Sequence, residues 1–144
     1  MTVHEMGSYK CAKLYTSATT GYYIMCSNYT TAASLGSDGE HFTWSEACAI
    51  SVSAGGQTFV CGSKAQWEAI MSACGGTGYY RINAKCQGVS NWNEMAGTRG
   101  YWTSTIANEV DSTLAWAFAS DWYTNSRSGG NYKEQVRLIA PFSE

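Results

Sequence analysis

Charge is scarce in this chain. Asp, Glu, Lys and Arg make up 14% of its residues, against roughly a quarter in an average globular protein. The 9 cations and 11 anions leave a net charge of −2. No basic run occurs, which speaks against nucleic acid as a partner. No apolar stretch reaches the roughly 18–20 residues of a membrane span, so membrane insertion is not expected. Histidine is limited to His4 and His41, and proline to Pro141. Two imidazoles and no CxxC spacing make a zinc site a poor expectation. Gly-x-Ser-x-Gly, His-Glu-x-x-His and Gly-x-x-x-x-Gly-Lys motifs are all missing. Neither an enzyme nor a bound cofactor or metal is expected.

What fills the chain instead is aromatic and amide chemistry. It holds 10 Tyr and 6 Trp, and aromatics reach 14%. Surface polarity must then come from Ser, Thr, Asn and Gln and from Tyr hydroxyls, a composition common in extracellular binding domains. At 144 residues the chain fits a single domain, 1–144, with a core of its own. Met1 to Met6 lacks the basic and apolar regions of a signal peptide. The expectation is a domain of a longer secreted protein, or export by another route such as assembly into a virus particle. The six cysteines, Cys11, Cys26, Cys48, Cys61, Cys74 and Cys86, leave two readings open: disulfides, for which six allow 15 pairings, or buried thiols acting as small hydrophobes.

Residues 9–15 and 22–26 read as a hairpin, with Tyr9, Cys11 and Tyr15 on one face. Asn28 to Gly39 reads as a loop, and its Asn28-Tyr29-Thr30 sequon as chance. Two helices follow, each with a capping box: Thr43 with Glu46, and Ser63 with Gln66. The first, with Trp44, Ala47, Cys48 and Ser51 on one stripe, is expected to stop near Gly55-Gly56. The second, with Trp67, Ile70, Met71 and Cys74, is expected to stop at Gly75-Gly76. Gln57 to Cys61 between them is strand-like. Tyr79 to Ile82 reads as extended, and Asn83 to Arg99 as irregular around Trp92. In Leu114 to Ala119, Leu114, Trp116 and Phe118 offer a bulky face to a core, and the alanines a face for close approach. Gln135 to Ile139 forms a last strand that Pro141 ends. Strands, two helices, then strands with long loops give an α+β class.

Several runs resemble a C-type-lectin-like domain: Phe42-Thr43-Trp44-Ser45-Glu46-Ala47, Ser63-Lys64-Ala65-Gln66-Trp67, Tyr101-Trp102-Thr103-Ser104-Thr105, Ala115-Trp116 and Val136-Arg137. The likeness is to the bacterial variety found in Lcl-type collagen-like adhesins, Fibrobacter-type paralogous domains and variable proteins of diversity-generating retroelements. It runs from about residue 42 to the end. It implies two helices packed on twisted antiparallel sheets with long loops. It also implies a ligand-contacting surface near the C-terminus, at Asn108, Asp111, Trp122, Tyr123, Asn125, Ser126, Arg127, Ser128, Asn131 and Tyr132. The Glu-Pro-Asn or Gln-Pro-Asp loop of calcium-dependent sugar binders has no counterpart, and Asn91-Trp92-Asn93-Glu94 lacks that upstream partner.

The resulting expectation is an adhesin or receptor-binding module, possessing loops at about 106–113 and 121–134 that meet a protein or glycan ligand on a cell surface. Its place would be extracellular, on a cell surface or on a phage virion. A structural tip or packing domain of a pilus, fibre or virion is the alternative. A formylglycine-generating-type enzyme needs a reactive cysteine pair that these cysteines do not offer. Glu109, Asp111 and Asp121 read as solvated charge rather than a hydrolytic pair. Arg137 reads as a structural hydrogen-bonder rather than a ligand contact.

Overall fold

A computed structural model describes residues 3–33, 38–107, 113–128 and 130–144. The architecture is α+β, with helices packed against two antiparallel sheets. Strands β1 (Val3–Met6), β2 (Tyr9–Tyr15) and β3 (Thr20–Met25) form a meander at the start of the chain. Helix α1 (Trp44–Ala49) leads into the hairpin β4 (Ser51–Ala54) and β5 (Gln57–Cys61). Helices α2 (Lys64–Ala73) and α3 (Tyr79–Cys86) follow, then β6 (Tyr101–Ile106), β7 (Leu114–Phe118), β8 (Trp122–Ser126) and β9 (Leu138–Ser143). The larger sheet has the order β1-β2-β3-β9-β5-β4, and the smaller β6-β7-β8. The last strand therefore sits in the middle of the large sheet and ties the chain's two ends together.

Both capping boxes form. Thr43 accepts from the Glu46 N–H while Glu46 accepts from the Thr43 N–H, and Ser63 and Gln66 repeat the exchange. Helix α2 buries Trp67, Ile70 and Met71. It ends where the Gly76 N–H donates to the Met71 carbonyl at 3.0 Å. Helix α1 is shorter than its sequence suggests. It ends at Ala49, and the β-branched and small residues 51–54 turn back through Gly55 and Gly56 as a hairpin. Ser51 is therefore a strand residue, and Cys48 is exposed rather than on the buried stripe.

A third helix stands where Tyr79 to Ile82 reads as extended. Its buried residues are Tyr79, Ile82, Asn83 and Cys86, spaced i, i+3, i+4 and i+7. No side chain caps it. The Tyr79 N–H instead donates to the Ala119 carbonyl at the end of β7, at 3.0 Å. Gly78, at φ +97°, makes this approach, and a Cβ there would lie 2.3 Å from the Ser120 carbonyl oxygen. The helix then holds the following loop through Asn83, which bonds both the N–H and the carbonyl of Met95 at 2.8 Å and accepts from the Trp92 indole at 3.2 Å.

The large sheet is covered on both faces at its centre. Ala12, Leu14, Ile24 and Ile139 join a cluster with Trp67, Ile70, Ile82, Tyr101 and Phe118. Cys11, Met25, Leu138 and Ala140 join a second with Phe59, Trp102, Ala115 and Ala117. Tyr9 and Tyr15 stay exposed although Cys11 between them is buried. Pro141 lies inside β9, paired with Tyr22, not at its end. β5 pairs with β9 only at Ile139 and Leu138, so past Ile139 that side of β9 carries no ladder from β5 and a missing N–H costs nothing there. Residues 134 and 135 precede β9 as isolated bridges, Glu134 to Phe42 and Gln135 to Tyr101. All six cysteines are free thiols, with Cys11, Cys26, Cys61 and Cys86 buried.

Candidate functional site

The smaller sheet carries most of the expected contact residues. Its register opposes Phe118 to Trp122, Ala117 to Tyr123, Trp116 to Thr124, Ala115 to Asn125 and Leu114 to Ser126. Strand pleating thus places Trp116, Trp122, Thr124 and Ser126 on one face, and Ala115, Ala117, Tyr123 and Asn125 on the other. Residues 122–126 are therefore a strand and not part of a long loop. The alanine face is the buried one, while Leu114 and Trp116 on the bulky face are only half-buried and Phe118 alone is fully inside. The alanines lie against Phe59, Trp102, Val136 and Leu138, while Tyr123 and Asn125 beside them reach a carboxylate.

That carboxylate is Glu134, 5% exposed. It accepts from the Tyr123 hydroxyl, from the Gly100 N–H at 2.9 Å and from the Asn125 amide at 3.4 Å. Gly100 also donates to the Tyr123 oxygen at 3.0 Å, and a Cβ at Gly100 would lie 2.3 Å from that same oxygen. Burial pushes the Glu134 carboxyl up to about 7, against the opposing pull of the Gly100 N–H, Arg99 and His41. Arg99 and His41, with Asp38, Gly130, Asn131 and Lys133, line a cleft of about 330 Å³. Asp38 accepts from the His41 ring at 2.6 Å and from the Glu40 and His41 N–H groups at 2.9 Å. Those bonds, the Glu40 N–H foremost, hold its carboxyl well below the usual range. Arg99 donates to the Lys133 carbonyl at 2.8 Å.

Cations lie on aromatic rings along the rest of this surface. The Lys64 ammonium sits 4.7 Å from the Trp116 ring centre and 4.8 Å from that of Trp122. The two indoles meet edge to face at 6.3 Å, and Glu68, one helical turn from Lys64, completes an ion pair with it. The Arg127 guanidinium lies 4.3 Å from the Trp44 ring centre, and Trp44 is fixed by its indole N–H on the Thr103 carbonyl at 3.0 Å.

The expected contact residues thus divide. Trp122 and Arg127 are half-exposed and ring-packed. Ser126 and Ser128 bond one another at 3.2 Å. Asn131 and Tyr132 are exposed, with Asn131 on the cleft. Tyr123 and Asn125 are committed to Glu134 and act as supports. Asn108 and Asp111 lie outside the described residues, as does Glu109. Asp121 accepts from the neighbouring Trp122 N–H at 2.7 Å. Glu134, His41, Arg99, Lys64 and Trp44 are additions that composition did not single out as contacts. Arg137 is indeed structural: it is 2% exposed, and bonds Asn28, the Met25 carbonyl and the Asn93 carbonyl at 2.7–3.0 Å. Asn28 also accepts from the Tyr101 hydroxyl and donates to Gln135, both at 2.9 Å, so the sequon's amide is engaged inside the protein.

Comparison with protein-family models, curated proteins and solved structures gives no match. Among the described residues, no helix is long and apolar enough to cross a membrane, and no three His, Cys, Asp or Glu side chains group as metal ligands.

Proposed function

We propose that this chain is a ligand-binding module built on a C-type-lectin-like scaffold, an adhesin or receptor-binding domain acting at a cell surface or on a virion. Its ligand is a protein or glycan, met by the outer face of β7–β8, Arg127 on Trp44, and the Asn131–Tyr132 segment beside the His41–Arg99 cleft. The observation that carries this reading is the division of labour within one short stretch. Tyr123 and Asn125 are tied down on buried Glu134, while Trp122, Arg127, Asn131 and Tyr132 are held outward around them. Rigid aromatic and Arg groups held on such a base lose little entropy on binding. The half-buried Trp122 and Arg127 suit anchoring, and exposed Asn131 and Ser128 suit adaptable hydrogen bonds.

Diversification by a retroelement fits the same surface, but only at its outward positions. Substitution at Tyr123 or Asn125 would break the bonds to Glu134, so a diversified set is expected to spare both. A reverse transcriptase gene beside a near-repeat of this gene's 3′ end would support that history.

The test of the binding reading is retention of labelled protein on a glycan array and on intact bacterial cells. Wild type is compared with a Trp122→Ala/Arg127→Ala/Tyr132→Ala variant. Retention is expected to fall at least about tenfold, measured at a temperature where circular dichroism shows the variant still folded. Equal retention by the two proteins would place the ligand elsewhere.

A further inference from the structure

A second cleft, of about 460 Å³, opens between the β2–β3 hairpin, residues 26–30 and the 91–93 loop. It shares no lining residue with the His41–Arg99 cleft. Its floor is apolar, with Met25, Cys26 and Leu138. Its walls carry Tyr9 and Tyr29 and a run of hydroxyls and amides, among them Ser8, Thr30, Asn91 and Asn93. Tyr9 is 41% exposed. Among the described residues, the Ser8, Tyr9 and Thr30 hydroxyls make no hydrogen bond within the chain. Rings flanked by neutral donors and acceptors match the alternating C–H and O–H surfaces of a sugar ring.

The one charged residue lining this cleft is a cation, Lys10, although Glu5 lies opposite it in β1 and Glu94 follows the 91–93 loop. Lys10 reaches the Asn91 amide oxygen at 3.3 Å, a long bond across the rim. Arg137 stands behind the wall, and each of its three acceptors belongs to a lining residue: Asn28, Met25 and Asn93. No carboxylate lines the cleft, and none of Arg137's bonds goes to one. A buried guanidinium held by neutral oxygens and by the Trp92 ring, 4.7 Å from it, with no carboxylate bonded to it, leaves a positive potential over the adjoining space. Asn91, whose amide oxygen faces Lys10, has φ +71° and is the one non-glycine described residue in the left-handed region, which Asn tolerates well.

We propose that this cleft binds a small polyhydroxylated ligand carrying a carboxylate, of the uronic or sialic acid class. The carboxylate lies towards Lys10, where the field of Arg137 reinforces it. The ring lies over the apolar floor beside Tyr9, with its hydroxyls meeting Ser8, Thr30 and Asn93. The proposal is independent of the β8 surface, and neither depends on the other.

The experiment is a titration of isotope-labelled protein, followed by amide NMR, with glucuronate, N-acetylneuraminate, glucose and acetate, each to roughly 10 mM, ten times the Kd of a weak small-ligand complex. Glucuronate or N-acetylneuraminate is expected to shift the side-chain amides of Asn91 and Asn93 and the backbone of residues 8–10 and 26–30. Glucose and acetate should bind at least about tenfold more weakly. Lys10 is exposed, so Lys10→Gln should fold normally and lose about the same factor for the acids. Absence of localised shifts with both acids overturns the proposal. So does equal response to acetate alone, or an unchanged affinity in Lys10→Gln.

Discussion

Glu134 is the residue on which the β8 surface hangs, and its chemistry makes it testable by pH. Its carboxyl is raised from 4.5 to about 7, chiefly by burial. Between those values the folded protein holds a proton that the unfolded chain has released. Stability contributed by the neutral form is therefore present below about 4.5 and lost as pH rises through about 7, on the order of 2–3 kcal/mol in all. Thermal melts of Glu134→Gln, compared with wild type, should flatten this fall, with the variant gaining relative to wild type as pH rises. An identical pH slope in the two proteins would mean that Glu134 titrates normally. Arg137 is the corresponding support on the other side of the chain. Arg137→Met strips the Met25 and Asn93 carbonyls of this donor and leaves the Asn28 amide oxygen with the Tyr101 hydroxyl alone. With about 1–3 kcal/mol for each buried polar group left unpaired, denaturant unfolding should show a loss of about 3 kcal/mol or more.

The elements differ in how visibly the chain announces them. The capping boxes at Thr43 and Ser63 are local devices, spelled out within four residues, and both form. Thr43→Ala and Ser63→Ala should each cost about 1 kcal/mol in chemical denaturation. Helix α3 has no such signal, because its first N–H, that of Tyr79, leans on Ala119, forty residues further along the chain in sequence. Only the spacing of Tyr79, Ile82 and Cys86 marks it, and Asn83 hides the stripe by being polar and buried. Gly78→Ala, placing a Cβ against the Ser120 carbonyl at a left-handed φ, should destabilise more than either cap variant. The alternation in Leu114 to Ala119 is legible as a strand, but which face is inside is not. Bulk points to the Trp face, but Ala115 and Ala117 pack in the cluster of Phe59, Trp102, Val136 and Leu138, so the alanine face is inside. The site was legible to the same extent. Trp122, Arg127, Asn131 and Tyr132 are expected contacts only through the resemblance to lectin-like domains. His41, Arg99 and Glu134 come together only through the bridge from Phe42 to Glu134 and the turn at Gly100, which no local pattern records.

The whole molecule is held by a central last strand and by packing on both faces of the large sheet, without any disulfide. Six free thiols should therefore titrate with a thiol reagent after denaturation without reductant. In the native protein the exposed Cys48 should react first, and Cys61 least readily, because burial pushes its thiol up furthest. Fewer than six thiols in the denatured protein would mean that cross-links stabilise the chain. The central claim is that this framework displays the β8 face and the 130–132 segment for recognition. Hydrogen–deuterium exchange in the presence of whichever glycan or cell-surface extract retains the protein tests it most directly. Protection concentrated in residues 122–128, 130–133 and 38–44 is the predicted footprint. Protection confined to strand β2 of the large sheet, with 122–133 unchanged, would contradict it.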